Sequence, residues 1–519
     1  MRTVLLANYQ ALADQYQSLS DSKKNQLKLI SVARLISFLG IIPAWYYLNP
    51  INEILAFSIS FILLIAFFFL IKKYIQTEKQ MLYYQQLVKI NQNEIHAIGR
   101  DLSPFDPGNE FIDPHHDYSY DLDLFGISSM FQFLNRTVTT RGKKHLASLL
   151  NKSQRSVSEI TSKQEAIQEL AEEVNWRQDF MAKGMETDGN KGNFYESIDQ
   201  AIDLKSVHFL KYLLKILPAL SILLIGLSIA AIDSHSFYRL ALLAQWSIIG
   251  LYFKTILKFH QKFENQGKLL RRYAEMLKQI ESFNFRSSYL VSLKEQLSHQ
   301  GKTASTITSE LQKILDQFDY SKNFLVGLVL DSIFLWDIRC LVKLNKWQQN
   351  YAGVLPRWFD VIAEMDALVS LANCNYNHPD WVTPEVSQSK STFNAENLGH
   401  PLIDENRCIS NSFQLINQEQ IAIITGANMA GKSTFLRTVG VNLILASNGC
   451  KACASGFEFS PIRIYTNMRT SDNLMNDESY FYAELLRLQT MLNLIRQGKN
   501  LFVIVDEMLK GTNSIDKLN

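Results

Sequence analysis

Two short runs in this chain have the residue types of phosphate chemistry. The first, "TGANMAGKST" at 425–434, fits G-x-x-x-x-G-K-[S/T] through Gly426, Gly431, Lys432 and Ser433, with Met429 and Thr434 completing the loop. The glycines let backbone N–H groups turn toward an anion, and a helix starting there adds its partial positive charge. Lys432 can reach the β- and γ-phosphates of a nucleotide, and the Ser433 hydroxyl can ligate Mg²⁺. The second run is "LFVIVDEM" at 501–508. A strand of buried-type residues would deliver Asp506 to its C-terminal end, beside the loop. There Asp506 can hold Mg²⁺ directly or through water, and Glu507 can orient or deprotonate an attacking water. The expected ligands are therefore ATP and Mg²⁺, with Lys432 and Glu507 as catalytic residues and Ser433 and Asp506 on the metal.

The flanks of the loop carry the elements such a site needs. "QIAIIT" before it is apolar and β-branched and reads as a strand; "KSTFLRTVGVNLILAS" after it reads as a helix. From about Leu398 onward, short β-rich runs, glycine turns and one strong helix give an α/β pattern. Upstream the pattern is helical. "RSVSEITSKQEAIQELAEEV" has apolar residues at helical spacing, and Leu269, Tyr273, Met276, Ile280 and Phe283 mark one stripe of an amphipathic helix. Helical pattern continues from Asp331 to Ala372 and ends near His378-Pro379.

Composition narrows the rest. At 519 residues the chain has room for several domains. Charge is nearly balanced, 52 Lys+Arg against 50 Asp+Glu, so net charge argues neither for nor against nucleic acid. Five cysteines are too few for a disulfide scaffold. The lone C-x-x-C, Cys450 and Cys453, lacks a second pair, so it reads as buried small residues.

Four stretches are apolar enough to raise the question of a membrane: Leu29 to Leu48, Ile54 to Ile71, Ile216 to Ile232 and Leu240 to Phe253. A spanning helix needs about 17–25 such residues. The second meets this easily, the third barely, and the fourth only with its aromatic flank. Lys23, Lys24 and Lys28 precede the first and Lys72 and Lys73 follow the second. Lys205, Lys211 and Lys215 precede the third, and Lys254, Lys258 and Lys262 follow the fourth, while the turns "NPINE" and "DSHSFYR" are poor in lysine. Positive charge thus lies on one side of two hairpins, which puts both termini and the nucleotide loop in the cytoplasm. The alternative is that these are core helices of a globular fold. Lys254, Lys258, Lys262, Lys268, Arg271 and Arg272 have two readings as well, a DNA-facing stripe or the cytoplasmic end of a membrane helix.

The loop with its neighbours resembles the MutS family of DNA mismatch-repair ATPases, whose version reads TGPNMxGKST; Ala427 stands at the family's proline. "LGHPLI" (Leu398 to Ile403) and Asn411 resemble the start of that family's ATPase domain. "RTSDNLMNDESYFYAELLRLQTML" is similar to its signature segment at Ser479, Phe481 and Glu484, and "VDEMLKGTNSID" to its acidic strand and G-T loop at Gly511 and Thr512. "DLFGISSMFQFLNRTVTTRGKKHLASLL" and "KQEAIQEL" resemble the start of the family's helical core, and "EMDALVSLA" its close. The resemblance implies a homodimer through the ATPase domains, with Asn428 near the phosphates and Ser479 sensing the γ-phosphate of the other subunit. The alternative for Ser479 is a helix cap before "YFYAELLRL". It also implies DNA as a partner, although the first 120 residues have no room for the family's mismatch-reading and connector domains. "NFYES" spells Phe-x-Glu at Phe194 and Glu196, but after the start of the helical core.

The expected architecture is a mainly α helical core with transmembrane hairpins, followed by an α/β P-loop NTPase domain. We divide it as 1–85 (polar segment and first hairpin), 86–205 (first part of the core), 206–256 (second hairpin), 257–385 (long helices) and 386–519 (ATPase domain). The family continues beyond the G-T loop, so a longer parent protein is expected. The expected function is a membrane-anchored MutS-like ATPase with DNA as its partner. The alternatives are an ATP-gated membrane scaffold or transporter-like assembly without DNA, and a nucleotide-holding tether that does not hydrolyse.

Overall fold

The structure is a computed structural model that describes residues 2–153, 155–185, 207–229, 236–263, 266–388, 391–415, 420–427, 429–469 and 480–507. Phe194 and Glu196 lie outside the described residues. Helices dominate, with small sheets confined mainly to the C-terminal part. The chain forms two compact units: residues 1–137, 146–185 and 367–519, and residues 138–145 with 186–366.

In the first unit, α1 (Arg2–Leu39), the short α2 (Ile41–Leu48) and α3 (Glu53–Ile98) make a long hairpin. Its ring contacts pair Tyr16 with Tyr84, Arg34 with Tyr74 and Phe38 with Phe67, so α1 and α3 run antiparallel. Asn52 closes the turn by accepting from the Leu55 amide at 3.1 Å, satisfying one of the orphan donors that start α3. Two helical stretches, Arg2–Leu48 and Glu53–Ile98, are long and apolar enough to cross a membrane, and their most apolar windows are only 11% and 6% buried. A globular core helix would hide that face. The polar half of α3 is the part that docks. Tyr83 donates to Asp179 on α7 (Val174–Gly184) at 2.8 Å, and Asn91 and Gln178 exchange amide hydrogen bonds at 3.1 and 2.9 Å. Below them Arg136 pairs with Glu94 at 2.6 Å, both almost fully buried, and Asn377 donates to the same carboxylate at 2.9 Å. Such a pair survives burial because every charge has a partner.

The rest of this unit is α/β. Strand β4 (Phe393–Leu398) lies between β5 (Asn411–Leu415) and β6 (Gly456–Phe459), antiparallel to both, and β3 (Glu385–Val386) runs parallel to β6. A separate parallel pair joins β7 (Arg463–Asn467) to β8 (Leu501–Val505). The helix after the phosphate-type loop is α16 (Lys432–Ser447), with the span read from its sequence. The run before the loop differs from expectation. Residues 420–425 are in no strand, and Ile421 and Ile423 are 89% and 82% exposed. β-Branched residues make a strand only where a neighbouring edge pairs and covers them, and among the described residues β8 pairs with β7 alone.

In the second unit, α10 (Gln266–Ser282), α12 (Ala304–Asp319) and α14 (Trp336–Tyr351) pack through buried Leu270, Leu277, Ile280, Leu311 and Leu344. The expected stripe on α10 is rotated slightly: Leu270 and Leu277 are buried, while Leu269 is half-buried. The second apolar pair forms α8 (Val207–Ile229) and α9 (Ser236–Phe263), joined by a buried Gln245–Ser221 hydrogen bond of 2.6 Å. Among the described residues of this pair the apolar stretch is Tyr212–Leu224, which includes Lys215. α13 (Phe324–Phe334) packs on both.

Asp366 organises the start of α5 (Thr140–Leu150). It accepts from the Val138 and Thr139 amides and from the Thr139 hydroxyl at 2.7–3.2 Å, and burial pushes its carboxyl up to about 7. Gly142 lies against it. A Cβ there would meet Asp366 Oδ2 at 2.1 Å and Cγ at 2.6 Å. Gly142→Ala is therefore expected to destabilise the second unit by about 3 kcal/mol or more, because overpacking and a broken buried network add. Faster amide exchange across 143–145 would register it; exchange at the wild-type rate would show that Asp366 can move aside at little cost.

Candidate nucleotide-binding site

The two motifs meet in space. Ser433 Oγ donates to Asp506 Oδ2 at 2.5 Å, across 73 residues of sequence. Asp506 is placed by β8, whose last ladder position pairs Val505 with Asn467, and the Asp506 amide donates to Asn467 O at 3.1 Å. Ser433 is placed by the first turn of α16, where Gly431 serves as N-cap at φ +90°. Lys432 arches back over the loop, its Nζ donating to the carbonyls of Gly426 at 2.9 Å and Ala427 at 3.0 Å. The ammonium is thus held at the loop, beside the open N-terminus of a 16-residue helix.

Three backbone outliers cluster here: Met429 at φ +64°, Gly431 at +90° and Glu507 at +46°. Non-glycine residues in the left-handed region are uncommon and gather where backbone is held for function. Met429 is fully exposed, and Glu507 sits on the surface one residue beyond the metal-type carboxylate. Thr434 is exposed beside Ser433. Asn428, Ser479, Gly511 and Thr512 lie outside the described residues. Glu484, on α17 (Tyr480–Arg496), is 3% exposed.

The donor set suits the expected ligands. Ser433 and Asp506 offer two hard oxygens within contact of each other, as Mg²⁺ prefers. The N-terminal amides of α16 and the Lys432 ammonium offer donors to phosphate oxygens. Cys450 and Cys453 are free thiols, Cys450 buried, and burial pushes the Cys453 thiol up to about 12.

Sequence reading missed the surroundings of this site. A cavity of about 450 Å³ opens beside α16, lined among others by Asp123, Ser128, His400, Thr434 and Arg437. Burial and the neighbouring Arg437 push His400 down to about 4, so it is neutral at pH 7. Asp121 and Asp123 bind residues of α16, β7 and α17 more than three hundred positions away. The signal for them was slight: an acidic "DLDL" at the start of the core-like segment.

Residues 422–519 match MutS domain V. Over 219 residues the chain is 29% identical to the DNA mismatch repair protein MutS of Staphylococcus haemolyticus, covering 41% of this chain and 24% of that protein. It is 32% identical over 220 residues to the protein of the same description from Clostridium perfringens (41% and 23%), and 29% over 238 residues to that of Ehrlichia chaffeensis (45% and 28%). The C-terminal part is thus similar to MutS domain V, and the chain spans about a quarter of the length of these MutS relatives.

Proposed function

We propose that this chain is a membrane-anchored, MutS-like ATPase. The observation that carries the reading is the 2.5 Å contact between Ser433 and Asp506 at the start of α16, next in sequence to Lys432, whose ammonium is held at the loop. Mg²⁺ would be held by Ser433 and Asp506 and would neutralise charge on the phosphates. Lys432 and the α16 amides bind and orient the phosphate oxygens, and Gly431 allows the backbone to turn toward them. Glu507 positions water for in-line attack and takes its proton. The family resemblance supports hydrolysis, a homodimer closing over ATP, and DNA as partner. The lipid anchor is the α1–α3 hairpin, whose apolar windows are exposed and whose lysines flank one end; the ATPase then faces the cytoplasm.

A second reading has its own support. In α8 and α9, Tyr212, Ile216, Leu223, Leu243 and Leu251 are 59–81% exposed, which suits lipid or a protein partner better than DNA. An ATP-driven membrane scaffold would use that surface without touching DNA. The deciding experiment is binding of the detergent-solubilised chain to homoduplex and mismatched DNA across a salt series, with and without MgATP. The leading reading expects ATP-modulated binding whose affinity falls steeply with salt, as phosphate contacts require. No binding at low salt, with ATPase activity present, would establish the scaffold instead.

A further inference from the structure

Asp121 and Asp123 sit in the short segment that opens the helical core, and both reach into the nucleotide domain. Asp121 is fully buried. Its Oδ2 accepts from the Thr466 hydroxyl at 2.6 Å and from Arg487 Nη2 at 3.2 Å, and its Oδ1 accepts from the Arg469 amide at 3.0 Å. Its carbonyl accepts from Arg437 Nε at 3.1 Å. Asp123, held at φ +51°, pairs with Arg437 at 3.2 Å and takes Arg469 in a two-pronged grip at 2.5 and 3.0 Å.

The three arginines belong to different elements of the site. Arg437 is on α16, five positions after Lys432, on the helix whose first turn holds the phosphate-type loop. Arg469 follows β7, the strand paired with the Asp506-bearing β8. Arg487 is on α17 and also donates to the Thr466 carbonyl at 2.7 Å. Leu122, between the two aspartates, packs so closely on α16 that a Cβ at Gly440 would meet its methyls at 2.7 and 2.9 Å. On the other side of Asp123 lies the 450 Å³ cavity, so Arg437 has free space on one flank and fixed partners on the other.

We infer that Asp121 and Asp123 form a two-carboxylate hub by which the state of the nucleotide at α16 is transmitted to β7, α17 and the start of the helical core. This rests on the nucleotide reading given above. A movement of α16 that follows phosphate binding at Lys432 must either carry Arg437 away from Asp123 or drag Asp123 with it. Asp123 in turn holds Arg469 by a geometry that a single carboxylate oxygen could not maintain. The Asp121 carboxylate is fixed to β7 and α17, so the segment 121–123 acts as a short lever between the nucleotide helix and those two elements. Both aspartates are positioning residues; neither approaches Lys432 or Ser433 as a ligand would.

The test uses the full chain in detergent, with MgATP as the probe and Asp123→Asn as the principal variant. Asparagine tolerates the left-handed backbone at this position, so the change removes charge with little strain. Arg469→Gln breaks the same grip from the opposite side, and agreement between the two separates loss of the ion pair from a folding defect. Three quantities are measured: the MgATP dissociation constant, kcat and KM of hydrolysis, and hydrogen exchange of 463–469 and 484–496 with and without MgATP. We expect the dissociation constant and KM to hold within about threefold and kcat to fall about tenfold. MgATP is expected to slow exchange in the wild-type chain, and that slowing should be lost in both variants. If Asp123→Asn turns over and responds to MgATP like wild type, the hub is refuted. It is equally refuted if binding weakens as much as turnover, because the aspartate would then only shape the binding site. A wild-type chain that binds no MgATP overturns the nucleotide reading, and this inference with it; the two failures are told apart by which protein shows them.

Discussion

Lys432→Ala is expected to lower affinity for MgATP by roughly thirtyfold to several thousandfold, the loss of about 2–5 kcal/mol that follows when one side of a hydrogen-bonded charge pair is removed. The argument starts from where the ammonium stands. Its Nζ is held by the Gly426 and Ala427 carbonyls at 2.9 and 3.0 Å, so it is stationed at the loop before any phosphate arrives and little side-chain entropy remains to be lost on binding. Alanine keeps the helix. Lys432 is the first residue of α16, and alanine has the best helix propensity there. A drop in affinity with an unchanged unfolding temperature would therefore report the charge alone. Lys432→Arg keeps the charge but replaces a compact ammonium by a planar fork, so it should bind more weakly than wild type and more tightly than alanine. Binding by Lys432→Ala within threefold of wild type would remove the loop from the nucleotide site.

Much of the frame around this site can be read from the chain, for local reasons. α16 starts at Lys432 because glycine and a good helix-forming run adjoin there, and α15 (Leu355–Asn377) stops just before His378-Pro379 because proline cannot continue it. β8 covers the apolar run it was read from. What escaped the sequence is long-range. The run at 420–425 has strand composition but no described partner strand, and pairing decides strands more than composition does. The helical run from Asp331 is broken by Leu335 in a left-handed conformation, where no glycine announces a stop. Nothing near Asp366 in sequence hints that it caps residues 138 and 139, nor does anything near Asp121 point to Thr466, 345 positions on. Aspartates of this kind look like ordinary surface charge until the fold supplies their donors. The metal-type pair Ser433–Asp506 was accessible because both members belong to recognisable local patterns.

Glu507→Gln is expected to slow ATP hydrolysis by about 10²- to 10⁴-fold, the range for loss of a general base, while leaving MgATP bound. Glutamine has the size of glutamate and can still hold a water by one hydrogen bond, but it cannot take the proton. Glu507 follows Asp506 directly at the end of β8, and its φ of +46° turns the chain sharply after the metal-type carboxylate, so the two acids are not interchangeable. Asp506 faces the Ser433 hydroxyl, whereas Glu507 is exposed at the surface. Asp506→Asn should for that reason weaken Mg²⁺-dependent binding, whereas Glu507→Gln should not. The measurement is single-turnover hydrolysis together with the nucleotide retained after gel filtration. ATP retained by Glu507→Gln, and ADP by wild type, assigns the proton transfer to Glu507. If wild type and Glu507→Gln both retain unhydrolysed ATP, the site holds nucleotide without turning it over. The chain would then work as a tether whose state is set by ATP binding alone, and its resetting would depend on dissociation rather than on chemistry.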